Sequence, residues 1–175
     1  MKKSLLLLGG ALVLFSNSAF GWGKMGHDAI AYIAECNLTP KAKKTIEKIL
    51  GHSIVYYATW MDEWRAEPGY EHTSAWHTAS VDKNLVYAPR PKGDVIFALE
   101  DAIAKLQDYK QQDDSTVVMS LRCIIHFVGD MHCPVHVKYA NQKSYNVYLN
   151  GDKCSYHNVW DCLLYTSDAA DDLIG

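Results

Sequence analysis

Five of the eight histidines are placed as metal-ligand chemistry would place them. His126 and Asp130 lie four residues apart, a spacing that puts both on one face of a helix. Pro134 ends that helix and lets His136 turn back toward the pair. A second His-x-x-x-Asp occurs at His157 and Asp161, and Asp62 and His77 supply a further carboxylate and imidazole. His27 follows Trp22 by five residues, and Trp22 is the residue that signal cleavage would leave with a free amine. Imidazole and carboxylate are favoured ligands of zinc, at about 2.0–2.2 Å from the ion. One His-x-x-x-Asp is more often a helix-surface hydrogen bond, but five histidines each associated with an Asp or a free amine do not read as ordinary core residues. His52, His72 and His132 fit no pairing and read as surface residues or as supports behind the ligands. Arg65 lies three residues after Asp62, so on a helix it faces the same cavity. Its planar fork suits phosphate, against the blander role of a surface salt bridge with Glu63 or Glu67. Tyr56, Tyr57, Trp60 and Trp64 offer stacking surfaces, though aromatic residues at such spacing more often fill a core.

The elements that must position these groups are mainly helical. A first helix starts near Gly26 and carries His27, Ile30, Ala31 and Ala34 on one side. A second has Thr39 as cap, Pro40 at its first position and Gly51 as its stop, with Ala42, Ile46, Ile49 and Leu50 at helical spacing. A third runs from the cap Asp94 to about Lys110, with Val95, Leu99, Ala102, Ile103 and Leu106 inward. A fourth runs from Ser115 to about Met131, with Val117, Leu121, Ile124, Ile125 and Val128 on one stripe. Two short strand pairs are expected, one around Asp82-Lys83-Asn84 and one turning at Asn150-Gly151, a strong hairpin signal. The expectation is one mainly α domain with a small β-hairpin excursion.

Length and composition agree. The chain has 175 residues, within the range of one domain. Its 49% apolar and 21% charged residues are those of a globular protein, which excludes a disordered or collagen-like chain. Residues 1–21 read as a secretory signal peptide: Lys2 and Lys3, an apolar stretch from Leu5 to Phe15, then Ala19 and Gly21 before the cut. The stretch is short of the about 20 residues that a membrane-spanning helix needs. Removing Lys2 and Lys3 from the 17 basic residues leaves 15 against 20 acidic, a net charge of −5. Such a chain is not held to nucleic acid mainly by a basic field, but an enzyme that grips phosphate through metal ions remains open. A secreted or periplasmic location permits disulfides. Cys36, Cys123, Cys133, Cys154 and Cys162 are an odd set of five, of which four can pair in ways that sequence does not fix.

The motifs resemble a known family. Trp22-Gly23-Lys24-Met25-Gly26-His27, Ala58-Thr59-Trp60-Met61-Asp62-Glu63-Trp64-Arg65, Trp76-His77, His126-Phe127-Val128-Gly129-Asp130-Met131-His132-Cys133-Pro134-Val135-His136 and His157-Asn158-Val159-Trp160-Asp161 follow in the order of the zinc-dependent single-strand-specific nucleases and 3′-nucleotidases of fungi, plants and bacteria. This is the S1/P1 nuclease family, within the phospholipase C/P1 nuclease superfamily. The resemblance covers residues 22–161 and points to a bacterial member truncated at its C-terminus. It implies a helical fold of that type and a site of three zinc ions. Asp62, His77, His126 and Asp130 would hold one. The Trp22 amine and carbonyl, His27 and Asp130 would hold a second, with Asp130 bridging. His136, His157 and Asp161 would hold the third. It also implies hydrolysis of single-stranded DNA, RNA and 3′-nucleotides to 5′-phosphates, with Asp62, Asp130 and Arg65 as the catalytic residues. Single-stranded nucleic acid and nucleotides would be the substrates, and no stable membrane association would remain after signal cleavage. A zinc pair about 3.5–4 Å apart can activate a shared water, and charge on the departing 3′-oxygen can be stabilised electrostatically.

The chain also departs from the resemblance. Thr78 and Ser80 stand where relatives often carry an aromatic and an Asp or Asn that help hold a base, and about Asn141-Gln142-Lys143 replaces a Gly-Gly-Asn stretch. A zinc phospholipase C is the alternative reading. It is disfavoured by the five-residue Trp22–His27 spacing and by Asp161 where that group usually has Glu. An inactive zinc-binding fragment is the other. Residues 162–175, starting Cys162-Leu163-Leu164-Tyr165-Thr166-Ser167-Asp168, read as a translated sequencing-library adapter joined to a native 22–161 domain.

Overall fold

The computed structural model describes residues 23–149 and 151–160. The signal segment, Trp22, Asn150, Asp161, Cys162 and the remaining tail lie outside the described residues. Within them the chain is mainly helical: α1 (Gly23–Asn37), α2 (Pro40–Leu50), α3 (Trp60–Trp64), α4 (Val95–Gln107), α5 (Asp114–Met131) and the single turn α6 (Tyr156–Asn158). Two small sheets accompany them. β1 (Ala79–Val81) pairs with β2 (Val137–Tyr139), and β3 (Asn146–Leu149) pairs with β4 (Asp152–Ser155).

Local chemistry explains the helix ends. The Thr39 hydroxyl accepts from the Ala42 N–H, Pro40 opens α2, and Gly51 closes it at φ 80°, a left-handed conformation that favours glycine. Asp94 accepts from the Ile96 and Phe97 N–H groups at the start of α4. Asp113 accepts from the Thr116 N–H at the start of α5. The Thr39 start, the Gly51 stop and the Asp94 start follow the sequence reading, and other helix ends are offset at three places. α1 begins at Gly23 rather than near Gly26. α4 ends at Gln107, and Tyr109–Gln111 tighten into a 3-10 turn instead of continuing the helix. α5 starts at Asp114, one residue before the expected Ser115, because Asp113 caps it. Ile103, expected to face inward, is exposed, and so is Ala34, placed on the His27 side of α1.

α5 is the central element. α1, α3 and α4 pack around it, as does a 3-10 turn over Ile54–Tyr57. The expected stripe Val117, Leu121, Ile124, Ile125 and Val128 is only half-buried apart from Val117. The tightly buried positions are Ser120, Cys123, His126, Phe127, Gly129 and Asp130. The helix is covered on more than one side, so its most enclosed face is the one with polar ligands. Phe127, Met61, Ala58 and Val95 make the apolar floor beneath them.

The sheets differ from expectation in one respect. The expected hairpin forms between β3 and β4, with Leu149 opposite Asp152 and Gly151 at φ 91°, while Asn150 itself lies outside the described residues. The turn at Asp82-Lys83-Asn84 also forms, with the Asp82 carboxylate accepting from the Asn84 and Val86 N–H groups. Its return makes only a single antiparallel bridge, Val81 to Tyr87. The strand partner of Ala79–Val81 is instead the distant Val137–Tyr139, in parallel register. That ladder ties the segment just after His77 to the segment just after His136.

Candidate metal centre

The site is assembled from five separate segments. α1 supplies His27, α3 supplies Asp62 and leads into Arg65, a 3-10 turn over Glu71–His77 ends in His77, α5 supplies His126 and Asp130, and a 3-10 turn over Pro134–His136 ends in His136. They converge on Asp130, which is fully buried. His77 Nδ1 lies 2.9 Å from Asp130 Oδ2 and His126 Nε2 lies 3.3 Å from the same oxygen. His136 Nδ1 is 3.0 Å and His27 Nε2 3.5 Å from Oδ1. Asp62 stands across the cluster, with His77 Nδ1 at 3.6 Å, His126 Nε2 at 3.8 Å and His27 Nε2 at 3.9 Å. Two sets of donor atoms lie close enough together to share one ion: His27, His126 and Asp130, and Asp62, His77 and His126.

Supporting contacts orient these donors. The His126 Nδ1–H donates to the Ala58 carbonyl at 2.8 Å, which leaves the Nε2 lone pair aimed into the cluster. The His27 and His126 rings stack, centroids 4.3 Å apart and 9° from parallel. Gly129 makes room for that stack, since a Cβ there would sit 2.4 Å from His27 Nδ1. The Arg90 guanidinium donates to the carbonyls of Ala75, at 2.6 Å, and Thr78, which bracket His77. Arg122 lies over the Tyr57 and Trp60 rings at 4.6 and 4.7 Å and braces the arm that carries Ala58 and Asp62. Of these supports, Ala58 and Gly129 stood inside sequence motifs, whereas Arg90 and Arg122 did not. A backbone carbonyl such as that of Ala58 leaves no trace in side-chain chemistry, and the Arg90 contacts are non-local.

The electrostatics follow from enclosure. Burial alone would raise the Asp130 carboxyl. The His126 charge beside it, with contacts from His126, His136 and His27, outweighs burial and holds the carboxyl well below the usual range. Burial pulls His126 down, but the Asp130 charge and hydrogen bond, together with Asp62, lift it above its ordinary value. His77 is lowered, mainly by burial, with Asp130 offsetting part of the effect. These directions belong to the metal-free protein. A cation among the same nitrogens would deprotonate the rings and take over the role of the imidazolium charge.

Buried lone pairs test whether a metal fits. Neither nitrogen of His27, neither oxygen of Asp130, nor His77 Nε2 has a well-aligned hydrogen-bond partner among the described residues. The ring nitrogens and carboxylate oxygens therefore meet at close range with poor hydrogen-bond angles. Such an arrangement is costly for an apolar interior and suited to coordination. The donor set, imidazole with carboxylate, fits zinc.

The remaining expected residues divide. His136 and His157 come together, their rings 5.3 Å apart and 14° from parallel, while Trp22 and Asp161 lie outside the described residues. Arg65 is at the rim, half-exposed, with Nη1 3.4 Å from Asp62 Oδ1. Its neighbour is thus Asp62 rather than Glu63 or Glu67. Tyr57 and Trp60 are core residues, whereas Tyr56 and Trp64 are exposed. His52, His72 and His132 are at the surface, as expected. No disulfide joins two described residues: Cys36 is an exposed thiol, Cys123 a buried one and Cys154 is half-buried.

A mainly helical scaffold carrying a buried carboxylate ringed by imidazoles defines a candidate metalloprotein, and comparison with known proteins narrows the class. The S1/P1 nuclease family profile matches residues 22–172, most of the chain, and the chain belongs to that family. Nuclease S1 of Aspergillus oryzae is 24% identical over 173 residues, which cover 90% of this chain and 59% of that protein. Endonuclease 2 of Arabidopsis thaliana is 27% identical over 169 residues, covering 86% and 58%. Nuclease P1 of Penicillium citrinum is 28% identical over 157 residues, covering 80% and 57%. The chain therefore spans under three fifths of the length of these relatives. No described helix is long and apolar enough to cross a membrane.

Proposed function

We propose that this chain is a zinc-dependent phosphodiesterase that cleaves single-stranded DNA and RNA, and 3′-nucleotides, to 5′-phosphate products. The observation that carries the reading is Asp130: a fully buried carboxylate with four imidazoles within 3.5 Å and no well-aligned hydrogen bond to either oxygen. His27, Asp62, His77, His126 and Asp130 would hold two zinc ions, with the Trp22 amine completing one of them. His136, His157 and Asp161 would hold a third. Bound zinc would supply Lewis acidity and bring the pKa of a water to about 7.

The chain's own groups set the geometry. Asp130 stays ionised and draws the nitrogens of His27, His77, His126 and His136 around its two oxygens. The Ala58 carbonyl keeps His126 in the tautomer whose Nε2 faces inward. Asp62 forms the solvent-side edge of the cluster, its side chain only 10% exposed. Arg65, beside it and open to solvent, presents a planar donor fork to the non-bridging oxygens of a phosphate. The zinc ions would bring the positive charge that an acidic chain lacks. Residues 22–161 would carry the ligands of this domain, exported by the 1–21 segment to the periplasm or beyond.

The deciding experiment uses chain beginning at Trp22. Metal content is measured by emission spectroscopy, and hydrolysis is assayed on single-stranded DNA, a nucleoside 3′-monophosphate and phosphatidylcholine. Zinc together with nucleotide hydrolysis supports the reading. Lipid hydrolysis alone points to a phospholipase, and zinc without hydrolysis to a binding fragment.

A further inference from the structure

Gln142 and Lys143, in the stretch that departs from the family pattern, line a cavity of about 370 Å³. The volume lies within the about 300–1,000 Å³ of small-molecule sites. His157 is on its wall, and the His157 ring stacks on His136, whose Nδ1 lies 3.0 Å from Asp130 Oδ1, so the cavity borders the metal centre through these two rings. Val135 is its buried floor, packed with Tyr156 and Trp160. Lys138 and Lys143 stand on its wall, and no Asp or Glu is among the described residues that line it. Neither lysine has a carboxylate within ion-pair distance among the described residues, although acidic residues outnumber basic ones in the chain. Two unopposed ammonium groups attract an anion. Tyr145 and Tyr156 stack on each other there, centroids 4.9 Å apart and 17° from parallel, so their facing surfaces are not free to grip a base.

We propose that this cavity takes a second phosphate of the substrate, the 5′-phosphate of the nucleotide whose 3′-phosphoryl group is attacked. Lys138 and Lys143 would hold it as point charges. The chain would then favour a nucleoside 3′,5′-bisphosphate, or an internal nucleotide of a strand, over a nucleoside 3′-monophosphate, with little regard for the base. This rests on the hydrolase reading above and adds the group that the substrate must carry.

The test uses the protein as purified, with its metals. Binding of adenosine 5′-monophosphate and of adenosine is measured by calorimetry over a range of salt. The KM values of adenosine 3′,5′-bisphosphate and adenosine 3′-monophosphate are compared in parallel. The wild-type chain should prefer the 5′-phosphorylated ligand in both assays. Lys138→Met with Lys143→Met should move both ratios toward one. The same pair should also weaken the salt dependence of adenosine 5′-monophosphate binding, because the charges that salt screens are gone. Lys143→Met alone, at an exposed position, should give about half the effect and serves if the double variant does not fold. Equal binding of nucleoside and monophosphate by wild type overturns the proposal. So does an undiminished preference in the lysine variants, which would assign the phosphate to the metal ions. Absence of hydrolysis with the binding preference intact overturns the hydrolase reading instead.

Discussion

Asp113 and Asp130 stand at opposite ends of α5, and both carboxyls are held below the ordinary carboxylate range, for opposite physical reasons. Asp113 is fully in water, and the Ser115 and Thr116 hydroxyls and the Thr116 N–H hold its charge. Asp130 is sealed from water and survives as an anion only because imidazoles crowd it. The first arrangement is local and ordinary: a cap that any exposed helix can use. The second needs five segments brought together from across the chain. A depressed carboxyl is therefore not in itself a mark of function. Enclosure, and partners drawn from distant segments, distinguish the two.

Substitutions should separate the two ends sharply. Asp130→Asn keeps the shape and removes the charge that every imidazole faces. Loss of metal should exceed the about 10–100-fold in affinity that changes to supporting residues cost, and hydrolysis should fall to background. An Asp130→Asn chain that retains full zinc content would break the assignment of Asp130 as the bridging ligand. Arg65→Ala comes next. Removing one electrostatic contact to a transition state costs about 10²–10³ in rate. Turnover should fall by that order while metal content stays at the wild-type level, because Arg65 touches the cluster only through Asp62. Undiminished turnover in metal-loaded protein would return Arg65 to the role of a surface ion pair. Gly129→Ala should be milder. Its Cβ would meet His27, which cannot retreat because it is stacked on His126. Overpacking of this kind costs about 1–3 kcal/mol. Thermal unfolding should register that loss, and a chelator competition should show weaker binding of one metal. Unchanged values in both would mean that the His27 ring has room the structure does not give it.

Much of this was legible in the sequence because the informative signals were local. The caps Thr39 and Asp94, the stop at Gly51 and the Asn150-Gly151 hairpin signal each depend on a few adjacent residues. The residues that converge on Asp130 were legible through motif order, and His126 with Asp130 through helical spacing alone. What the sequence did not yield was non-local. The parallel pairing of Ala79–Val81 with Val137–Tyr139 joins strands more than fifty residues apart, and no three-residue stretch announces its partner. The Ala58 carbonyl and the Arg122 brace escaped for the same reason. On α5 apolar periodicity found the stripe of Leu121, Ile124 and Ile125, which packs partly buried against the core, but not the most enclosed positions. Here the most enclosed face carries Ser120, His126 and Asp130 as well as Cys123 and Phe127.

The smallest expected effect is at the open end of the helix. Asp113→Asn keeps a capping oxygen but removes the charge near the positive end of the α5 dipole. A carboxyl whose folded pKa is depressed contributes stability that is present above its unfolded value, about 3.9. That contribution is lost as pH falls through the folded value. Near neutral pH the wild-type chain should therefore unfold at a slightly higher temperature than Asp113→Asn. The gap should begin to close below about pH 4 as the unfolded state takes up its proton, and it should shrink further in stronger acid. Salt should narrow it as well, because Asp113 is exposed and its field is screened. Zinc content and hydrolysis of Asp113→Asn should match wild type at every pH at which both are folded. A change in metal content would mean that the two ends of α5 are coupled, and the contrast between a local cap and an assembled site would fail. A melting difference that grows as the pH falls below 4 would place the depressed carboxyl elsewhere in the chain.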